Sequence, residues 1–142
     1  MLLHFCLYGL VGWCLEIIWT SLYSVLWPTG PRDWRLVGRT YLWMFPIYGL
    51  AGLAFEPIHD WMRYLHWFWR ASGWALLCFA IEYVSGWLLK KLIGRCPWDY
   101  SYNQWHIHGF IRLDYTPIWM FVGLLFERIH DTFDAVLGWL GR

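Results

Sequence analysis

Four glutamates, Glu16, Glu56, Glu82 and Glu127, each stand inside a different apolar stretch of this 142-residue chain. Two of them open a Glu-x-x-His pattern, Glu56-Pro-Ile-His59 and Glu127-Arg-Ile-His130. Residues three apart share a helix face, so each pattern presents a carboxylate beside an imidazole. A glutamate from each of two helices, plus Glu-x-x-His from two others, is the donor set of carboxylate-bridged di-metal bundles. Hard carboxylates with imidazoles suit a divalent metal such as iron, manganese or zinc. The competing reading needs no metal. It is a hydrogen-bonded, proton-sharing carboxyl network that holds helices together, with His59 and His130 as interface anchors. A carboxylate in hydrocarbon costs roughly 2.5 kcal/mol or more. Four at one level must therefore be protonated, paired or holding a cation.

The elements that carry these residues are long and apolar. The chain is 59% apolar and 15% charged, against about 25% charged in soluble domains. A spanning helix needs about 20 mostly apolar residues, and helices are expected over about 2–26, 41–63, 68–91 and 115–137. Trp27-Pro28-Thr29-Gly30-Pro31 ends the first, Pro46 and Pro117 suit the starts of the second and fourth, and Pro57 kinks the second. The expected fold is an all-α membrane protein: a single four-pass domain over 1–142, folded as a four-helix transmembrane bundle with an interfacial loop over 94–114. Trp27, Trp34, Trp43, Trp61, Trp67, Trp69, Trp98 and Trp139 cluster at segment ends, as an interfacial belt does. Arg32, Arg35, Arg39, Lys90, Lys91, Arg95 and Arg112 follow the first and third segments. They outnumber Arg63, Arg70, Arg128 and Arg142, which places those loops in the cytoplasm of a multi-pass protein of the cell membrane. No basic stretch precedes the first apolar run, so no signal peptide is expected.

The chain repeats itself. Residues 46–60 and 117–131 share nine identities in fifteen positions at an offset of 71, including Glu56/Glu127, His59/His130 and Asp60/Asp131. The first and third segments align more weakly, through Glu16 and Glu82. A helical hairpin repeated once implies a parallel pseudo-two-fold axis along the membrane normal. Each glutamate lies on a stripe of small or polar residues, such as Gly9, Gly12, Glu16 and Thr20, which allows close helix approach. Counted from one side, the four lie about 8 to 15 residues deep, a spread of about 10 Å. They are therefore expected to converge inside the bundle.

The loop before the fourth segment collects Cys96-Pro97-Trp98-Asp99-Tyr100-Ser101, His106, His108, Gly109, Arg112 and Asp114. Trp98, Asp99, Tyr100, Ser101 and Arg112 read as a lid, with Asp99 and Arg112 folding it over the bundle mouth. His106 and His108 read as solvent-exposed, and Arg32, Arg35 and Arg39 as contacts for lipid phosphates. Cys6, Cys14, Cys78 and Cys96 form no Cys-x-x-Cys pair and read as packing residues. A net charge of +1 gives no nucleic-acid signal. No phosphate loop, dinucleotide fingerprint or serine-nucleophile motif occurs.

Tyr8-Gly9-Leu10-Val11-Gly12-Trp13-Cys14-Leu15-Glu16, Pro46-Ile47-Tyr48-Gly49, Glu82-Tyr83-Val84-Ser85-Gly86-Trp87 and Trp98-Asp99-Tyr100-Ser101 resemble the putative ABC-transporter type IV (CmpB-like) membrane family. The closer likeness is to its transmembrane protein 229 branch, which also carries the Cys-Pro-Trp-Asp-Tyr-Ser loop. The resemblance implies a multi-pass permease whose ATPase, if it has one, is a separate chain. Gly109-Phe110 stands where bacterial members read glycine-arginine, and the two histidines lie outside the family motif. Three functions follow, in order: a small permease-like protein whose carboxylate cluster handles a cation or proton, a membrane di-metal oxidoreductase, and a non-catalytic assembly or lipid-interacting subunit. The balance is against an enzyme. The expected partners are the lipid bilayer, a second copy of the chain and a separate ATPase; nucleic acid is not among them.

Overall fold

The structure is a computed structural model that describes residues 1–28 and 30–141, without the side chain of Leu140. Four helices carry the fold: α1 (Leu2–Leu26), α2 (Met44–Met62), α3 (Trp67–Ile93) and α4 (Thr116–Leu140). They lie close to the segments expected. Between α3 and α4 the chain adds a small antiparallel hairpin of β1 (His106–Ile107) and β2 (Ile111–Arg112), followed by a 3₁₀ turn. Two-residue strands are too short to leave an alternating pattern in the sequence.

Local chemistry sets the helix ends. His66 caps α3, its ring accepting from the Phe68 N–H, and Gly94 ends it in the left-handed region at φ 80°. Pro117 sits in the first turn of α4, where its missing N–H costs nothing. Pro57 lies inside α2, which runs on to Met62 without that N–H.

The chain forms two compact units, Met1–Phe55 and Glu56–Arg142. In the first, α1 and the start of α2 exchange aromatic side chains into each other's glycines. A Cβ on Gly9 or Gly12 would fall 2.8 Å from Phe45 or 2.3 Å from Tyr48. One on Gly49 or Gly52 would fall 2.6 Å from Phe5 or 2.3 Å from Tyr8. The segment before α2 runs back along α1: Ser21 donates to the Leu36 carbonyl at 2.7 Å, Thr20 to Arg39 at 2.9 Å, and the Trp13 indole to Tyr41 at 3.1 Å. α2 therefore begins beside the middle of α1, not level with its end.

In the second unit, α3 packs on α4 around Trp74, which is fully buried. Gly123 makes room for it, since an added Cβ would fall 2.0 Å from the Trp74 Cβ. Ala71, Ala75 and Met62 complete this core.

Among the described residues, α1 is the helix long and apolar enough to cross a membrane by length and composition. Glu82, Lys90 and Lys91 dilute α3, and Glu127, Arg128, Asp131 and Asp134 dilute α4. Both remain long enough, at 27 and 25 residues.

Candidate functional site: a histidine–carboxylate cluster

His59, near the end of α2, and His130, on α4, are the two histidines of the Glu-x-x-His patterns. Both are buried, at 3% and 4% exposure, and their rings meet edge to face at 5.2 Å. Asp131 completes a group in which one ligand atom from each of the three lies within 4.8 Å of the others. His59 Nε2 is 3.3 Å from Asp131 Oδ1, and His130 Nε2 is 3.5 Å from Asp134 Oδ2. The Asp131 and Asp134 side chains are partly exposed and form the open side of the cluster.

The other ring nitrogen of His59 has a different setting. Nδ1 is buried without a hydrogen-bond partner among the described residues and lies 3.9 Å from Glu127 Oε1. Glu127 is itself buried, at 5% exposure. It accepts from the Trp74 indole at 2.8 Å and from the Arg70 guanidinium at 2.9 Å. Arg63 adds a second cation, 3.0 Å from Asp131 and 3.4 Å from Asp60. A buried carboxylate is tolerable only with such partners.

The remaining glutamates have their own partners. In the first unit, Glu16 Oε2 accepts from Thr40 at 2.8 Å and from Tyr48 at 2.9 Å. In the second, Glu82 accepts from the Tyr100 hydroxyl at 2.8 Å, and the Trp119 indole approaches the same carboxylate. Hydrogen-bond geometry is not met there: Glu82 Oε2 and Trp119 Nε1 have no hydrogen-bond partner among the described residues. Glu56 is half-buried one turn before His59. Glu82 and Glu127 do not meet at one level. Glu127 is held by Trp74, eight residues before Glu82 on α3, which is about 12 Å along the axis.

One contact pattern occurs in both hairpins. Gly52 receives Tyr8, and Gly123, at the offset of 71, receives Trp74. Glu16 is held by Tyr48 and by a loop residue, Thr40. Glu82 is faced by Trp119, again 71 residues on, and held by a loop residue, Tyr100.

The loop closes over one end of α3. The Trp98 indole donates to the Phe110 carbonyl at 3.0 Å, so Trp98 is turned into the loop. Asp99 accepts from the Ser101 N–H at 2.9 Å, and the Ser101 hydroxyl together with that N–H holds its carboxyl below the usual range. Arg112 is buried, pairs with Asp114 through two bonds, and lies 4.2 Å from the Tyr115 ring. Its guanidinium holds the Asp114 carboxyl down. Asp99 and Arg112 thus fold the loop through separate partners. Burial pushes the Tyr100 phenol well above its ordinary value, with the Glu82 charge adding to it, and so keeps the proton on the phenol oxygen as it donates to Glu82. His106 accepts from the Gly109 N–H, and His108 meets the Tyr83 hydroxyl at 2.8 Å, so the two turn to different partners. In the first unit, Arg35 turns to Asp33 at 2.7 Å and holds that carboxyl down to about 2. It is spent locally rather than left for phosphate.

Sequence reasoning missed Asp131 as a candidate ligand, although it is the third residue of the repeated Ile-His-Asp. Arg70, Trp74, Thr40 and Trp119 carried no motif, and Tyr48 stood only within the family-like Pro46-Ile47-Tyr48-Gly49.

The family model described as Putative ABC-transporter type IV matches residues 3–140. The chain belongs to that family. No solved structure matches it.

Proposed function

We propose that this member of the ABC-transporter type IV family is a multi-pass membrane protein that takes up a divalent cation or a proton at His59, His130 and Asp131. The observation that carries this reading is the division of labour on His59. Nε2 faces Asp131 within the cluster that His130 completes, while Nδ1 is left over, 3.9 Å from Glu127. Ligating histidines commonly direct the other ring N–H at a carboxylate, which fixes the tautomer and raises ligand basicity. In this reading Glu127 orients His59, and Arg70 and Trp74 hold Glu127. Two imidazoles and a carboxylate suit zinc, manganese or iron. The charge balance favours a cation or proton. Arg63 and Arg70 stand against Asp60, Glu127, Asp131 and Asp134.

The separation of Glu82 from Glu127 favours a single ion over a bridged pair, and so a permease-like role over a di-metal oxidoreductase. Glu16, Glu56 and Glu82 then act as helix-positioning groups outside the ion's own ligands. Multi-pass insertion is supported by the long helices and their exposed apolar faces, including Leu10, Leu76 and Phe121. It is supported too by exposed tryptophans at helix ends, Trp27, Trp61, Trp67 and Trp139. The matching contacts in the two hairpins support a pseudo-two-fold repeat, and Cys96-Pro97-Trp98-Asp99-Tyr100-Ser101 supports the transmembrane protein 229 branch. An ATPase partner is compatible with the family's description and would be a separate chain. A second copy of the chain remains a candidate partner.

The test is a melting curve of the purified chain in detergent, with and without Zn²⁺ or Mn²⁺. A ligand at about 100 times its Kd adds about 2.7 kcal/mol of stability. The wild type should gain on adding metal, and His59→Gln should lose most of that gain. If metal shifts neither protein, the cation reading fails and the proton reading stands on its own. A proton site should instead show proton uptake across reconstituted vesicles that His59→Gln abolishes.

A further inference from the structure

A second site lies away from this cluster, at the other end of α3. Tyr83, Trp87, Lys90, Lys91, His108 and Phe110 line an open cleft of about 480 Å³. Lys90 and Lys91 are adjacent in sequence, yet both ammonium groups fold onto rings of the cleft. Lys90 Nζ stands 5.4 Å from the Phe110 ring centre, and Lys91 Nζ stands 5.2 Å from that of Trp87. Neither lysine forms an ion pair among the described residues. Asp99, the carboxylate that acts on Lys90, is already bonded to the Ser101 N–H. Two cations thus share one cleft with little countercharge. His108 is fixed at its rim by the Tyr83 hydroxyl.

The surface leading to the cleft is apolar. Val84, Trp87, Leu88 and Lys91 fall at helical spacing on one stripe of α3, and the first three are 59%, 49% and 44% exposed. A ligand that fits both parts has an anionic head and a hydrocarbon tail. Free phosphate would use the lysines and leave the stripe bare. We propose that this cleft binds the phosphate headgroup of an anionic phospholipid, with Lys90 and Lys91 on the phosphate and the acyl chain along Val84, Trp87 and Leu88. Lysines near an anionic membrane surface act additively on such heads, and the volume suits a glycerophosphate.

The site rests on the membrane reading of the chain but not on the cation cluster. Soluble short-chain lipids therefore test it separately from insertion, and membrane fractionation tests insertion. The full chain in a neutral detergent is titrated with dihexanoyl phosphatidic acid, dihexanoyl phosphatidylcholine or inorganic phosphate, and the melting temperature is read. Wild type should be stabilised by phosphatidic acid far more than by the other two. Lys90→Gln/Lys91→Gln should weaken that response at least tenfold in ligand concentration. Lys90→Arg/Lys91→Arg should keep it, and Arg32→Gln/Arg39→Gln should leave it intact. Equal responses to phosphatidylcholine, or an unchanged lysine double variant, would overturn the site. Equal stabilisation by inorganic phosphate would overturn its assignment to lipid. Loss of the response in the Arg32/Arg39 variant would reduce it to general charge attraction and overturn it as well.

Discussion

Glu82 and Glu127 are the same residue type in the same unit, yet substitution should separate them. Glu127 neutralises Arg70, whose Nε already lacks a partner among the described residues. Glu127→Gln strands that guanidinium and should cost about 3 kcal/mol, the usual loss when one member of a buried pair is removed. Glu82 is held by the neutral Tyr100 hydroxyl and faced by a neutral indole. An amide can still accept from Tyr100, so Glu82→Gln should change stability by less than about 1 kcal/mol. Melting curves of the two variants in detergent check this, and the opposite order would show that the partners have been misassigned. The glutamates and histidines were legible because a charged or titratable group stands out in an apolar run. Their partners were not. Arg70 and Trp74 lie four residues apart on α3 with nothing to tie them to a carboxylate some fifty residues on.

Helix packing makes a sharper demand on some positions than apolarity alone. Gly123→Ala would push a methyl against Trp74 and should cost about 1–3 kcal/mol by overpacking. Gly138 lies on the same helix with nothing within 4 Å of its added Cβ. Gly138→Ala should be neutral or gain up to about 1 kcal/mol from propensity. If the two behave alike in a melt, the close approach of α3 and α4 is wrong. The loop before α4 makes a pH prediction. Arg112 lowers the Asp114 carboxyl in the folded chain. Its contribution is therefore complete above the unfolded value of about 3.9 and is lost as pH falls through the lower folded value. Protease cleavage within 96–114 should rise below about pH 4, and Asp114→Asn should show the same rise at neutral pH. An acid-insensitive loop would contradict the pairing. The helices themselves were legible as apolar runs bounded by proline and glycine. The level of α2 was not, because nothing in the segment between the first two helices said which way it runs. Hydroxyls on α1, Ser21 and Thr20, draw that segment back along the helix.

Across the whole chain, the repeated Glu-x-x-His-Asp is what the sequence offered most clearly, and it is His59, His130 and Asp131 that the fold gathers. Convergence of all four glutamates was expected from their small-residue stripes and their similar depth. Within the second unit, the two-turn gap between Glu82 and Trp74 keeps Glu82 and Glu127 from one level. What the second unit brings together is one compact His59–His130–Asp131 group beside the buried Glu127, in a chain with many exposed apolar side chains. The most direct measurement is equilibrium dialysis of the purified, chelator-stripped protein against Zn²⁺ or Mn²⁺, followed by metal counting. The expected result is about one ion per chain for wild type and for Glu82→Gln, falling to a small fraction in His59→Gln and in Asp131→Asn. No bound metal in wild type, or an equal amount in the histidine variant, would contradict a cation site at this cluster.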